Sequence, residues 1–128
     1  MKVFTSYFAV MNKVRAAGLL PVAITWKLPN FVPRDFPQLP ELAPDGSILG
    51  RFKRGQITEA QYKKLYLHQL NSVDQEFTNF MLSVMSMRKP VVLMCYEKAG
   101  TFCHRHFALD WLRSFCHPSE IIGEFDAT

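Results

Sequence analysis

A chain of 128 residues, 48% hydrophobic and 20% charged, can bury one sizeable core and is too short for two. That balance excludes a disordered or collagen-like chain, and no apolar run approaches the ~20 residues of a membrane-spanning helix. The formal charge is +4, but all fifteen basic residues and only eight of the eleven acids precede residue 119, so residues 1–118 carry +7, which permits an anionic partner without requiring one.

The expectation is a single domain over 1–128. Lys2–Val10, KVFTSYFAV, is rich in β-branched and aromatic residues and reads as a buried strand. The run is too short and too polar for a signal peptide, so the cytoplasm is the expected compartment. A short helix over Met11–Ala17 follows, closed by Gly18, and Leu20–Trp26 reads as a second strand. Prolines 29, 33, 37, 40 and 44 punctuate residues 27–55, and no regular element is expected there. The stretch nevertheless holds Phe31, Val32, Phe36, Leu39, Ile48 and Phe52. It therefore reads as an ordered loop, either a lid near the carboxyl edge of a sheet or a wrap that completes the core.

Thr58-Glu59-Ala60-Gln61 is a capping box, and Tyr62, Tyr66, Leu70, Val73, Phe77, Phe80 and Val84 continue from it as one apolar helical stripe packed on a sheet, with a candidate break at Asn71-Ser72. Lys89-Pro90 ends that helix. Val91–Tyr96 is apolar throughout, as in a strand covered on both faces, and a helix from His104 to Phe115 and a short strand over Ile121–Phe125 complete the chain. The order predicts a single-domain α/β fold: a mostly parallel, Rossmann-like, three-layer open sheet with a long proline-rich loop. Ligands of such sheets bind beyond the carboxyl ends of the strands, which directs attention to Ser6 and Tyr7, to Trp26 and Lys27, and to Cys95 and Glu97.

The segment Cys95–His106 joins a strand end to a helix start, and three readings of it compete. As an anion site, the helix N-terminus and Arg105 hold a phosphate or carboxylate, and the same field activates Cys103. His104 follows the buried stripe toward the sheet, whereas His106 lies on the polar side. As a metal site, Cys95, Cys103, His104 and His106 lack the usual paired spacing, and adjacent Cys103 and His104 diverge on a helix, so no metal is assigned. As structure, Cys95 is a core thiol, Cys116 at the helix end is a packing or surface residue, and Arg105 pairs with Glu97. Three cysteines cannot all pair within the chain, which argues against a disulfide scaffold. Arg51-Phe52-Lys53-Arg54 forms a short basic cluster that can touch nucleic acid or simply face solvent. Phosphate loops, dinucleotide fingerprints and nucleophile elbows are absent from the sequence, and no cofactor is assigned.

Cys95-x-Glu97, a short loop and Cys103-His104-Arg105 together resemble the hallmark of the domain-of-unknown-function 488 family of bacterial, archaeal and phage proteins. Phe4–Ala9, Gly18–Ile24 and the proline-rich stretch look like one branch of it, so the likeness covers most of the chain. Where many members carry an Asp-Val-Arg-like end on the second strand, this chain has Thr25-Trp26-Lys27, leaving Lys27 as the cation there. The resemblance implies the fold and the site, and leaves the substrate open. The expected function is an anion- or nucleotide-binding pocket at the sheet edge with thiol- or carboxylate-assisted chemistry on a nucleotide or nucleic acid. In it Glu97 is acid/base, Cys103 or Cys95 the nucleophile or redox group, Arg105 the clamp, and His104, Ser6, Tyr7 and Lys27 line the site. The alternative is a non-catalytic binding or phage–host accessory module.

Overall fold

The computed structural model of the chain describes residues 1–98 and 100–128. Ala99, in the loop expected between the third strand and the last helix, lies outside the described residues. Four strands, β1 (Val3–Tyr7), β2 (Leu20–Ala23), β3 (Val91–Cys95) and β4 (Ile121–Glu124), form one parallel sheet in the order β2-β3-β1-β4. The helices are α1 (Met11–Ala16), α2 (Gly46–Lys53), α3 (Glu59–Leu70), α4 (Gln75–Met85) and α5 (His104–Arg113). This is the α/β open sheet read from the alternation of apolar runs.

Side chains alternate across the sheet and build two apolar layers. Val3, Val22, Ile24, Val91 and Leu93 face one way and pack with α2, α3 and α5. Ala23, Val92 and Met94 face the other and pack with Phe8, Met11 and Val14 and with Val32 and Phe36 of the proline-rich stretch. All five residues of β3 are buried, which is why that strand reads as an unbroken apolar run. From β1 the chain moves to β2 across the α1 face, and from β2 to β3 and on to β4 across the other. Reversal of direction thus goes with reversal of face, as crossovers of one hand require.

Two expectations change. Residues 27–55 are not without regular structure: a 3-10 turn spans Pro40–Leu42, and α2 starts immediately after the last proline. Asp45 caps α2, its side chain accepting from the Ser47 N–H, and Ile48 is buried beneath it. The stretch is also tied down. Gln38 bridges β2 at Ala23, with Ala23 N–H donating to Pro37 O (2.8 Å) and Leu39 N–H to Ala23 O (2.9 Å), so the sheet edge is covered. The second change concerns the stripe over residues 59–85: the candidate break at Asn71-Ser72 is present, the chain leaving α3 after Leu70 and restarting at Asp74, whose carboxylate caps α4. The break re-aims the stripe: Tyr62, Tyr66 and Leu70 stay buried, while Phe77, Phe80 and Val84 are exposed rather than packed on the sheet.

Candidate functional site

The carboxyl ends of β1, β2 and β3 meet the N-terminus of α5. Cys95 ends β3, in register with Tyr7 of β1. Ile24 N–H donates to Met94 O (3.1 Å), carrying the β2 pairing one residue past the strand. Cys103 is the N-cap of α5 and has an extended backbone (φ −156°, ψ 146°). Its side chain therefore does not follow helical geometry, and its Sγ lies 3.7 Å from His104 Nδ1. The expectation that Cys103 and His104 diverge is thus corrected, because it assumed that both were helical.

His104 points into the sheet as expected from the buried stripe. Its Nε2 is 2.7 Å from the Ile24 carbonyl, and a carbonyl can only accept, so the ring proton sits on Nε2 and Nδ1 is bare. Burial drives its pKa down to about 4, the Ile24 hydrogen bond opposes this, and the neighbouring Arg105 and His106 charges add to it. The imidazole is neutral at neutral pH. The Sγ atoms of Cys95 and Cys103 and Nδ1 of His104 lie within 4.8 Å of one another, all buried. The two sulfurs touch as a disulfide, and their Cα atoms are 7.5 Å apart. Cys116 is a free, buried thiol elsewhere, its Sγ against Asn79.

Arg105 is fully buried, and its partners explain why. Nε donates to Glu124 Oε1 (3.0 Å) and Nη2 to Oε2 (2.8 Å), a bidentate pair, while Nη1 donates to Cys95 Sγ (3.0 Å) and Glu97 O (2.6 Å). The Tyr7 ring lies 5.8 Å below the guanidinium. The carboxylate partner is therefore Glu124 rather than Glu97, whose contact is through its backbone. So engaged, Arg105 braces the strand ends and does not present itself to an anion. Thr5 Oγ1 also donates to Glu124 (2.7 Å). A register shift between β1 and β4 brings Glu124 opposite Thr5, and Gly123 at that irregularity takes φ +135°, open only to glycine without strain.

Beside this cluster lies a cavity of about 770 Å³, within the usual range for small-molecule sites. Trp26, Phe52, Tyr62, Tyr96 and Phe102 are the aromatic residues of its wall, Lys27, Lys53 and Glu97 carry its charges, and Cys103 and His104 border it from the α5 side. The wall is braced by aromatic edges: Phe102 stacks on Phe52, Tyr62 and Phe107 at 5.0–5.5 Å between centroids. Trp26 Nε1 donates to Pro44 O (2.7 Å), Tyr96 OH to Lys27 O (2.6 Å) and Tyr66 OH to Leu42 O (2.5 Å), so the proline-rich stretch is fastened over the carboxyl edge. Phe52 reaches the cavity, Phe36 packs on Phe8 across the sheet, and Phe31 is exposed.

The other residues named from sequence lie elsewhere. Ser6 is buried, one residue out of phase with Thr5 and so directed to the opposite face of the sheet, and its hydroxyl has no partner among the described residues. Tyr7 sits beneath Arg105, outside the cavity wall. Of the basic cluster, Lys53 borders the cavity, Arg51 lies in a separate groove with Gln61, Lys64 and His68, and Arg54 is exposed at the end of α2. Of the proline-rich stretch's aromatics expected at the carboxyl edge, Phe52 is the one that lines the cavity, while sequence reasoning missed Tyr62, Phe102 and Glu124 as members of the site. The capping box and the 62–66–70 stripe marked Tyr62 as inward-facing, but nothing local to Glu124 announces a partner nineteen residues away.

The model of the family described as the active DUF488-N3 subclade matches residues 22–115. That range runs from β2 past the end of α5, so it contains both cysteines and the cavity wall, while Phe4–Ala9 precedes it. No curated protein and no solved structure matches the chain. With well over half its length matched, the chain belongs to the DUF488 family, within its N3 subclade.

Proposed function

We propose that the cavity binds a nucleotide or a similar planar anionic molecule and carries out thiol- or carboxylate-assisted chemistry on it. The carrying observation is the composition of the wall: aromatic faces for a base, with Lys27 and Lys53 as the cations and Glu97 as an exposed carboxylate, at the carboxyl edge of a parallel sheet. Since Arg105 is engaged with Glu124, anion recognition rests on the two lysines. In the dithiol state Cys103, at the start of α5, is the thiol that borders the ligand space, and Glu97 is the proton carrier. The description of the subclade as active supports the enzymatic part of this reading.

Trp26 reports binding directly, because it lines the cavity while Trp111 is buried in the core. In a Trp111→Phe background, titration with nucleoside mono- and diphosphates is expected to change Trp26 fluorescence. Lys27→Ala should weaken binding by about 1–2 kcal/mol, the scale of a solvent-accessible charge-assisted contact. Glu97→Gln should abolish turnover and leave binding in place. A flat titration with every nucleotide refutes the reading. One observation favours the alternative of a non-catalytic interaction module: Phe77, Phe80, Val84 and Met87 expose an apolar face on and just after α4. In that case binding of a macromolecular partner depends on this face and is indifferent to Lys27 and Glu97.

A further inference from the structure

We propose that Cys95, Cys103 and His104, in the dithiol state, hold a zinc ion whose fourth coordination position opens to the cavity. The inference concerns the cavity border itself and does not depend on what the cavity binds. The Nδ1 of His104 is bare. With its proton committed to the Ile24 carbonyl, this nitrogen turns a lone pair toward sulfur at 3.7 Å. Two lone pairs do not attract, so a proton or a cation belongs between them.

The geometry suits a cation. Zinc bonds of about 2.3 Å to sulfur and 2.0–2.1 Å to nitrogen at tetrahedral angles place sulfur and nitrogen about 3.6 Å apart and two sulfurs about 3.8 Å apart. The first spacing is already present. The second needs the sulfurs to part, and the strand and helix leave room for it: a Cα separation of 7.5 Å exceeds the roughly 4.4–6.8 Å that disulfides span.

The surroundings also suit a metal. A ring nitrogen bonded to a backbone carbonyl is how metal-bound histidines are oriented. Arg105 Nη1 donates to Cys95 Sγ at 3.0 Å, a contact that favours thiolate. Two thiolates balance the 2+ ion, and Glu124 already balances Arg105, so the buried unit is neutral. Soft sulfur with imidazole selects zinc over harder ions, and three protein ligands is the count of sites that keep a position for water or substrate. Cys103 and His104 border the cavity, so that position faces it. In this state the cysteines are ligands rather than nucleophiles, and Glu97 remains the proton carrier.

The test uses the full chain, reduced by a phosphine that leaves as its oxide, stripped of metal, and titrated with zinc and with cobalt(II). About one equivalent should bind, with release of the two thiol protons. Cobalt should show the near-ultraviolet thiolate charge-transfer band, and zinc should raise the melting temperature. Cys95→Ser and Cys103→Ser should each lose the band, and Cys116→Ser should keep it. Failure of the reduced wild-type chain to take up either metal overturns the proposal, and so does a band that survives in both Cys95→Ser and Cys103→Ser. Should those variants not fold, the wild-type titration decides. Nucleotide binding, followed through Trp26, is a separate readout: binding without metal uptake refutes zinc alone, and metal uptake without binding refutes the nucleotide reading alone.

Discussion

Replacing Glu124 should destabilise the protein more than its position on a short, terminal edge strand suggests. Its side chain is 27% exposed, yet it accepts two hydrogen bonds from a guanidinium that is 0% exposed, and a third from Thr5. Glu124→Ala leaves Arg105 buried with its charge uncompensated. Breaking buried pairs in this one-sided way costs about 3–5 kcal/mol, and because water can reach the Glu124 side the lower end, ~3 kcal/mol, is expected. Against a typical total of roughly 5–15 kcal/mol this is a large fraction, equivalent to a fall of roughly 10 °C in melting temperature. Urea unfolding followed by far-ultraviolet circular dichroism measures it. Arg105→Leu and the double variant complete a cycle in which the pair should couple by more than 1 kcal/mol. Burial acts to raise the Glu124 pKa, but the Arg105 and Thr5 hydrogen bonds and the Arg105 charge outweigh it, so the folded value lies below the ordinary 4.5. The pair's contribution is therefore complete above the unfolded-state pKa, near 4.5, and fades as pH falls through the lower folded value. Stability of the wild type should drop more steeply than that of Glu124→Gln across this acid range. A cost below about 0.5 kcal/mol for Glu124→Ala, with equal acid slopes for wild type and Glu124→Gln, would refute the reasoning.

Tyr66→Phe removes the buried hydroxyl that serves the Leu42 carbonyl and should cost about 1–3 kcal/mol by urea unfolding, since that carbonyl loses its tie to α3. Gly123→Ala meets nothing closer than Arg113 Nη2 at 3.9 Å, so its expected cost of about 1–3 kcal/mol is conformational, from φ +135°, and a neutral result contradicts it. Phe77→Ser and Phe80→Ser, on the exposed face of α4, should each change stability by less than about 0.5 kcal/mol, and a larger loss would mean that this face is packed in solution. Cys116, buried and with its thiol pKa raised by burial and by Glu120, should alkylate more slowly than an unstructured cysteine in a Cys95→Ser/Cys103→Ser background; equal rates would contradict its burial.

The residues themselves determine the sheet. Strand periodicity, the two-faced apolar run at Val91–Cys95, the capping box at Thr58 and the β-α alternation are local signals, and local signals survive in a one-dimensional reading. They also place Cys95, Glu97, Cys103 and His104 at the carboxyl edge, since a strand end followed by a helix start can lie nowhere else in a parallel α/β sheet. The start of α2 was masked by proline density, although Asp45 and the Ile48–Leu49–Phe52 spacing were its signal. Tertiary structure decided the rest. The extended backbone at Cys103 turns its sulfur to the His104 side, and a stripe continuous in phase across residues 59–85 is divided by a break that leaves Phe77 and Phe80 in solvent. The partner of Arg105 comes from a different strand, delivered by a register shift at Gly123. Charge pairing across a sheet depends on which strands are neighbours and in what register, and neither is encoded within reach of any single segment; for this reason the anion clamp expected at Arg105 became, in three dimensions, the brace beneath the site.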